Sequence, residues 1–196
     1  MNTTFQLRYD PLMADSKFRE LAKALQHLGP IDSREQFNFY CRNVCRLWSQ
    51  EFDEVRHVPS QLFNEMHTKI QQHNGATIST LWGGVVVTLH EHPRVEKYLV
   101  INKGHYLALE KHDEKTENLE VLDGAGLVLW RAYPGTELEV EAVAPGSRFH
   151  FTPGVEHCVI GTEDLLVFEK STDPKGMDKD LIFIYEPESD VARLSS

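Results

Sequence analysis

The hydrophobic period of this chain changes once, near residue 75, and that change limits the possible folds more than any other feature. From Ile78 onward, apolar residues come in short runs that are rich in β-branched side chains and are bounded by turn-forming residues. Ten such runs follow one another, from "GGVVVTL" at residue 83 to "LIFIYE" at residue 181, and no helical pattern separates them. This spacing predicts an antiparallel sandwich or small barrel, so we expect a mainly β fold.

Before residue 75 the apolar spacing is helical in three stretches. The first, "ADSKFRELAKALQHLGP", repeats Leu21, Leu25 and Leu28 at three- and four-residue intervals. The second, "DSREQFNFYCRNVCRLWSQEF", opens with the capping box Ser33-x-x-Gln36, and the third, "PSQLFNEMHTKIQQHNG", ends on an Asn-Gly turn signal. We therefore expect an N-terminal helical segment packed on the barrel, the β-barrel itself and a short tail, at residues 1–75, 76–187 and 188–196.

The composition argues against several classes of function. With 196 residues, of which 41% are hydrophobic, the chain is long and apolar enough for one domain with its own core. A net charge of -10 without a basic patch argues against binding to nucleic acid. No run approaches the roughly 20 apolar residues of a membrane helix, and the first residues lack an export signal. Three cysteines without a framework pattern indicate a reducing compartment, so we expect a cytoplasmic protein.

The stretch "LALEKHDEKTENLEVLDG", residues 107–124, places charged side chains where a strand is expected. Successive side chains on a strand point to opposite faces, so Glu110 and His112 share a face, and Glu117 follows after a hairpin. A Glu-x-His pair alone is more often part of a solvated face than a pair of ligands. The alternative is a metal site, which needs further ligands from another part of the chain.

Two segments resemble the signature motifs of the cupin superfamily. In "GHYLALEKHDEKTENLEVLDG", the motif G-x5-H-x-H-x3-4-E-x6-G is matched with Glu110 in place of its first His. In "APGSRFHFTPGVEHCVIG", the motif G-x5-P-x-G-x2-H-x3-N is matched with Thr152 and Gly161 in place of Pro and Asn. The resemblance implies a cupin barrel, which is a double-stranded β-helix or jelly roll. It also implies a metal site made of Glu110, His112, Glu117 and His157.

Within that superfamily, residues 81–169 are similar to the cupin domain of bacterial type II mannose-6-phosphate isomerases, which are often fused to GDP-mannose pyrophosphorylase. Beyond the metal block, Trp82-Gly83, Lys97 and Glu169 match in order. The sequence departs from that pattern at Glu110, where the family has Gln, and at Lys115, where it has Arg. The similarity implies metal-dependent aldose-ketose isomerisation of a sugar or sugar phosphate. Lys97 and Glu169 are then the candidate catalytic residues, and Lys115 and Arg148 the candidate substrate-binding residues.

The donor atoms of this set indicate which metal it suits. Two imidazoles and two carboxylates form a mixed nitrogen and oxygen set, which suits Zn, Fe(II), Mn, Co or Ni better than Ca or Mg. With a divalent ion the net charge of the set is near zero, so its burial inside a barrel is tolerable. We therefore expect a divalent transition metal and a small-molecule substrate, with carbohydrate as the favoured class.

Two other functions stay open on the sequence. One is an Fe(II)-dependent cupin dioxygenase, although three His and one Glu are the commoner ligands there. The other is a non-catalytic cupin that binds a metal or a sugar. Exposed edges of such sheets often pair between protomers, so we also expect a homodimer.

The remaining histidines and cysteines are weaker candidates for a site. His90 and His92 form the only His-x-His pair, but Pro93 follows and no carboxylate stands at motif spacing, so we interpret "LHEHP" as a surface turn. His105 and His150 are equally consistent with a cavity lining and with hydrogen-bonded structural roles. Cys41 and Cys45, one helical turn apart, lack partners at ligand spacing and are interpreted as core thiols.

Overall fold

The structure, a computed structural model, describes residues 31–52 and 57–188, with the backbone alone for residues 50–52. The first predicted helix, at residues 14–30, and most of the predicted tail lie outside these ranges. Neither helix in the described part of the chain is long and apolar enough to cross a membrane.

The second and third predicted helices are present as α1, Arg34–Phe52, and α2, Gln61–Gln71. At the start of α1, the Ser33 hydroxyl accepts a hydrogen bond from the Gln36 amide at 3.2 Å. The Gln36 side chain in turn accepts one from the Asp32 amide at 2.8 Å, so the reciprocal cap forms one residue earlier than the sequence pattern predicts. At the start of α2, the Ser60 hydroxyl accepts from the Phe63 amide at 3.1 Å.

Eleven strands follow in the described residues, and they confirm the predicted mainly β fold. One run was not predicted, because "TIST" at β1 lacks a clear apolar alternation. The strands are β1 Thr77–Thr80, β2 Gly83–Glu91, β3 Arg94–Ile101, β4 Leu109–His112, β5 Thr116–Asp123, β6 Gly126–Arg131, β7 Glu139–Val143, β8 Arg148–Phe151, β9 Glu156–Gly161, β10 Leu165–Thr172 and β11 Leu181–Tyr185.

The strands form two antiparallel sheets that face each other. The first sheet has the order β1-β2-β3-β10-β5-β8, and the second has the order β11-β4-β9-β6-β7. Inward side chains from both sheets pack into one cluster, in which Leu99 and Val167 of the first sheet meet Val128 and Val159 of the second. The interior between the sheets is therefore the main core of the barrel.

Each sheet also buries part of its outer face under a helix. Phe37 and Val44 of α1 pack on Leu109 and Ile160 of the second sheet. Phe63, Met66 and Ile70 of α2 pack on Val86, Val100 and Leu166 of the first sheet. Strands that are covered on both faces become apolar without alternation, which explains why every residue of β9 is buried.

The predicted surface turn at "LHEHP" is only partly correct. β2 continues to Glu91, so His90 lies in a strand, and the turn is confined to His92 and Pro93. Both histidines are exposed.

Gly124, the last glycine of the first motif, lies in the turn after β5, where both the backbone conformation and the available space require glycine. Its φ is +83°, and a Cβ there would overlap the carbonyl oxygen of Asp164. Gly135 has a nearly identical φ of +78°, but no atom would lie within 4 Å of its Cβ. We expect Gly135→Ala to lower the free energy of unfolding by about 1 kcal/mol through backbone strain alone, and Gly124→Ala by about 3 kcal/mol because the Asp164 backbone must also move. Urea unfolding of both variants measures this difference, and equal losses would contradict it.

Candidate functional site

A cavity of about 800 Å³ lies between the two sheets and collects most of the predicted site residues. Its polar lining includes Lys97 from β3, Glu110 from β4, Glu117 from β5, His157 from β9 and Glu169 from β10. Alternation on each strand turns these side chains to the interior, and pairing of Glu110 with His157 brings the two halves of the motif together.

Two imidazoles converge on one carboxylate inside this cavity. The Nε2 atom of His157 is 2.9 Å from one Glu117 oxygen, and the Nε2 atom of His112 is 3.4 Å from the other. Two donors bound to one metal ion at about 2.1 Å are separated by roughly 3.0–3.4 Å at octahedral to tetrahedral angles. The measured separations are close to that range, so these three side chains suit a shared cation.

The opposite ring nitrogens of both histidines are held by acceptors. His112 Nδ1 is 3.0 Å from Asp180 Oδ1, and His157 Nδ1 is 3.1 Å from the carbonyl oxygen of Val155. A proton on each Nδ1 leaves a lone pair on Nε2, which is the arrangement of metal-binding histidines. The Nε2 atom of His112 is buried and faces Glu117 at 3.4 Å without a well-aligned hydrogen bond, so a cation between the two groups would contact both.

The carboxylates of the site favour positive charge at the two Nε2 atoms, either as a bound proton or as a metal ion. Burial alone would lower the pKa of His112 and of His157, but the neighbouring Glu117 carboxylate outweighs burial, and both pKa values are raised. Burial also raises the pKa of Glu110, to about 7. The pKa of Glu117 is held well below its usual range, because the two histidines and Lys115 outweigh its burial.

Lys115 occupies the centre of a buried ionic cluster. Its ammonium lies 2.6 Å from Glu117, 2.9 Å from Glu169 and 2.6 Å from Asp178, and only 1% of its side chain is exposed. Burial lowers its pKa, but the three carboxylates outweigh that effect and raise the pKa. Lys97 lies beside it, at 3.2 Å from Glu169 and 2.7 Å from Asp178. The structure therefore brings together three of the predicted catalytic and substrate-binding residues.

The predicted metal ligands do not form a finished coordination shell. Within residues 31–52 and 57–188, no three or more His, Cys, Asp or Glu side chains stand in ready-made metal-binding geometry. The reason lies at Glu117, because one of its oxygens is held by Lys115 at 2.6 Å as well as facing His112. The two imidazoles and Glu117 suit a metal by spacing and donor type, and Glu110 faces the same cavity from the paired strand.

Two residues of the site, both between β10 and β11, were not predicted from the sequence. Asp178 binds both lysines, and Asp180 holds His112 and accepts hydrogen bonds from the Glu114 and Lys115 amides. Pairing of β11 with β4 places the preceding loop beside the metal block. Asp178 also has a φ of +56°, in the left-handed region, where Asp is found more often than most other non-glycine residues.

Arg148, a predicted substrate-binding residue, lies outside the cavity. Phe149 and Phe151 of the same strand point into the core, so alternation turns Arg148 and His150 to the outer face. There the Arg148 guanidinium pairs with Glu120 at 2.7 Å, and 71% of its side chain is exposed. The structure does not bring Arg148 to the cavity.

The structure shows which of the weaker candidate histidines and cysteines line the cavity. His105 lines the cavity, whereas His150 is exposed and pairs with Asn118 at 2.8 Å. Cys41 lies on the buried face of α1, in the core between that helix and the second sheet, as predicted, and Cys45 packs partly buried against the same core. Burial raises the pKa of both thiols, so they are unreactive core residues.

Comparison with solved structures supports the fold. No family model and no curated protein matches the sequence. CapF, whose crystal structure contains the inhibitor 3-isopropenyl-tropolone, has a TM-score of 0.50 at 15% identity over 56% of this chain and 33% of its own. Oxalate decarboxylase from Lactobacillus farciminis has a TM-score of 0.46 at 15% identity over 55% of this chain and 33% of its own. A protein with a double-stranded β-helix domain from Klebsiella pneumoniae has a TM-score of 0.42 at 17% identity, over 59% of this chain and 88% of its own.

The fold is a double-stranded β-helix. Two antiparallel sheets closing around one interior show it, and the CapF likeness agrees with it. This is the fold that the cupin-like motifs predict. Because the chain spans a third of CapF and of the L. farciminis oxalate decarboxylase, the comparison concerns the barrel alone.

The ionic cluster predicts a large difference between two lysines. Lys115→Met removes the cation from among Glu117, Glu169 and Asp178, so we expect the free energy of unfolding to fall by about 3–5 kcal/mol. Lys170, whose side chain is 64% exposed, pairs with Glu96 at 3.2 Å on the surface, and Lys170→Met should cost no more than about 1 kcal/mol. Urea unfolding at neutral pH compares the two variants. A Lys115→Met protein as stable as the Lys170→Met protein would show that the cluster contributes little.

Proposed function

We propose that this chain is a metal-dependent enzyme that transfers a proton on a small molecule held in the cavity. The observation that carries the proposal is the convergence of His112 Nε2 and His157 Nε2 on Glu117, with each Nδ1 held from behind. The Lys97–Glu169 ion pair lines the same cavity. A cation site and a buried acid-base pair on one cavity are the parts that proton transfer next to a carbonyl requires.

The metal would be held by His112, His157, Glu117 and Glu110, a nitrogen and oxygen set that suits Zn, Fe(II), Mn, Co or Ni. When bound, a divalent ion supplies Lewis-acid polarisation of a substrate oxygen. The charge balance supports a cation there. Five carboxylates, on Glu110, Glu117, Glu169, Asp178 and Asp180, surround the site against the two ammonium groups of Lys97 and Lys115. When the carboxylates are ionised and the two histidines neutral, such an excess of buried negative charge is costly, and a divalent cation would offset it.

Within this site, Glu169 is the residue that we assign to proton transfer. Its carboxylate lines the cavity and contacts both lysines, at 3.2 Å for Lys97 and 2.9 Å for Lys115. Lys97 keeps its ammonium form, because Glu169 and Asp178 outweigh its burial and raise its pKa. We assign Lys97 to the stabilisation of negative charge that develops on the substrate oxygen.

Aldose-ketose isomerisation is the specific reaction that the resemblance to mannose-6-phosphate isomerases supports. That reaction moves one proton between adjacent carbons, which a single carboxylate on one side of the cavity can accomplish. The outward position of Arg148 does not favour a phosphorylated substrate. The carbohydrate substrate, the homodimer and the cytoplasmic location stay predictions.

The cavity wall favours a second candidate, an Fe(II)-dependent dioxygenase. Aliphatic side chains such as Val85, Leu99 and Leu107 line the cavity, and Trp82 stands beside them. Apolar walls of this kind suit the apolar substrates that such enzymes oxidise. A binding protein without catalysis is the remaining outcome of the experiments below.

Metal content tests the assigned ligands. We expect His112→Ala and His157→Ala to remove a nitrogen donor and to reduce bound transition metal at least about tenfold. His90→Ala and His92→Ala change exposed histidines outside the cavity and should keep the metal content of the parent protein. Elemental analysis of the proteins after incubation with each metal and removal of the excess gives the values. Similar content in all four variants would refute the ligand assignment.

Hydrogen exchange tests the chemistry. With metal-loaded protein and a panel of aldoses and ketoses in deuterated water, we expect exchange of the proton on C2, detected by NMR. Lys97→Ala and Glu169→Gln should abolish the exchange, because the first removes the charge that stabilises the intermediate and the second removes the base. Metal content and the thermal unfolding temperature of both variants control for a damaged site.

Oxygen consumption with Fe(II) instead of proton exchange would favour the dioxygenase. If metal-bound protein shows neither proton exchange nor oxygen consumption, the result would contradict an enzyme and leave a binding protein.

A further inference from the structure

The cavity changes from charged to aliphatic over two residues on several strands. On β3 the lining passes from Lys97 to Leu99, and on β5 it passes from Glu117 to Leu119. Both strands pair antiparallel with β10, so they run in the same direction and the change occurs toward the same end of the barrel. Two residues of a strand span roughly 7 Å.

The second sheet shows the same change. On β9 the lining passes from His157 to Val159, and along the antiparallel neighbour it passes from Glu110 to Ala108. The cavity therefore has a charged layer and, roughly 7 Å away along the strands, an aliphatic layer. We define the aliphatic layer as Leu99, Ala108, Leu119 and Val159.

Part of the rim of the cavity is also apolar. Ile78, Leu81 and Phe183 line the cavity although they are among the large apolar side chains that solvent reaches, with 63% of Leu81 exposed. A cluster of exposed apolar side chains beside a cavity marks a surface that binds an apolar group. The side chains of the aliphatic layer and of Ile78, Leu81 and Phe183 offer no hydrogen bonds to the hydroxyl groups of a sugar, although Thr80 and His105 add polar groups elsewhere in the lining.

The cations of the cavity are already bound by the chain itself. The Arg34 guanidinium donates to the carbonyl oxygens of Glu186 and Pro187 at 3.1 and 3.2 Å, and Arg42 pairs with Glu188. Lys97 is held by Glu169 and Asp178. Among the residues that the structure describes, Lys97 and Arg42 of the cavity lining are thus paired with carboxylates of this chain, whereas Arg34 is bound only by carbonyl oxygens and keeps its charge.

We infer that the cavity binds an amphipathic small molecule, with an oxygen-bearing head in the charged layer and a short aliphatic or ring-shaped apolar body against the aliphatic layer and the rim. This inference rests on the proposed function only for the role of the head group, and it favours a ligand with fewer hydroxyl groups than the carbohydrate predicted from the sequence. The aliphatic layer and the apolar rim determine the polarity of the ligand body that can bind. A ligand whose body carries several hydroxyl groups would leave those groups without hydrogen-bond partners.

A matched pair of ligands distinguishes the contribution of the ligand body to affinity from that of the head group. 1-Hydroxypentan-2-one and D-xylulose carry the same hydroxyketone head and the same carbon chain, and they differ in the hydroxyl groups of the body. We expect 1-hydroxypentan-2-one to bind at least about tenfold more tightly than D-xylulose, because its body buries apolar surface without desolvating hydroxyl groups. Ligand-observed NMR titration measures both affinities, once with metal-loaded protein and once with metal-free protein.

Two substitutions and a control locate the body of the ligand. Leu81→Ser at the exposed rim and Leu99→Thr in the aliphatic layer should each weaken binding of 1-hydroxypentan-2-one severalfold and leave D-xylulose almost unchanged. Val58→Ser alters an apolar side chain that is 82% exposed and does not line the cavity, so it should change neither affinity. Leu81→Ser tests the inference even if Leu99→Thr fails to fold.

The outcomes separate this inference from the proposed function. D-xylulose binding as tightly as 1-hydroxypentan-2-one, or no binding of either probe, would overturn the inference while leaving metal binding and proton exchange to their own tests. Preference for 1-hydroxypentan-2-one in a protein that binds no metal and exchanges no proton would support the inference and refute the proposed function.

Discussion

The site depends on the ion pairs that the buried ammonium group of Lys115 forms. This group lies between two strands of the first sheet and the loop that leads into the second, and it contacts Glu117 of β5, Glu169 of β10 and Asp178 of that loop. A lone buried charge of either sign is very unfavourable, so each of these groups fixes the positions of the others. Glu117 is thereby oriented toward the two histidines, and the loop is held against the barrel although it has little regular structure of its own.

This arrangement also sets a competition inside the site. Lys115 and a metal ion are both attracted to Glu117, and the short 2.6 Å contact shows that the ammonium already takes one of its oxygens. A metal ion would have to share that carboxylate or draw it away from the lysine. The affinity for metal is consequently set by the ionic cluster as well as by the donor atoms. Glu110, which faces the same cavity from the strand paired with that of His157, is the other predicted ligand that could complete the shell.

The sequence predicts the strands and the metal block because both depend on local spacing. Glu110, His112 and Glu117 follow from alternation and motif spacing, and His157 follows from the second motif. Arg148 was misplaced although the same alternation, applied to Phe149 and Phe151, turns it outward. Asp178 and Asp180 could not be predicted in this way, because their place in the site depends on β11 pairing with β4, which are far apart in the chain. The aliphatic layer likewise becomes visible only when the registers of strands in both sheets are known.

Strand β9 separates helix α1 from the cavity by the thickness of a single backbone. His157 and Val159 point into the cavity, while Cys158 and Ile160 pack under the helix, where the thiol of Cys158 neighbours that of Cys41. Close packing transmits a change of volume to whatever lies behind it. We therefore expect a change of volume on the buried face of α1 to shift β9 and with it His157, although, among the residues that the structure describes, none on that face contacts His157. Helix α1 is in this sense a second layer behind the cavity wall, and the side chains that its buried face can carry are limited by the position that His157 takes on the other side of the strand.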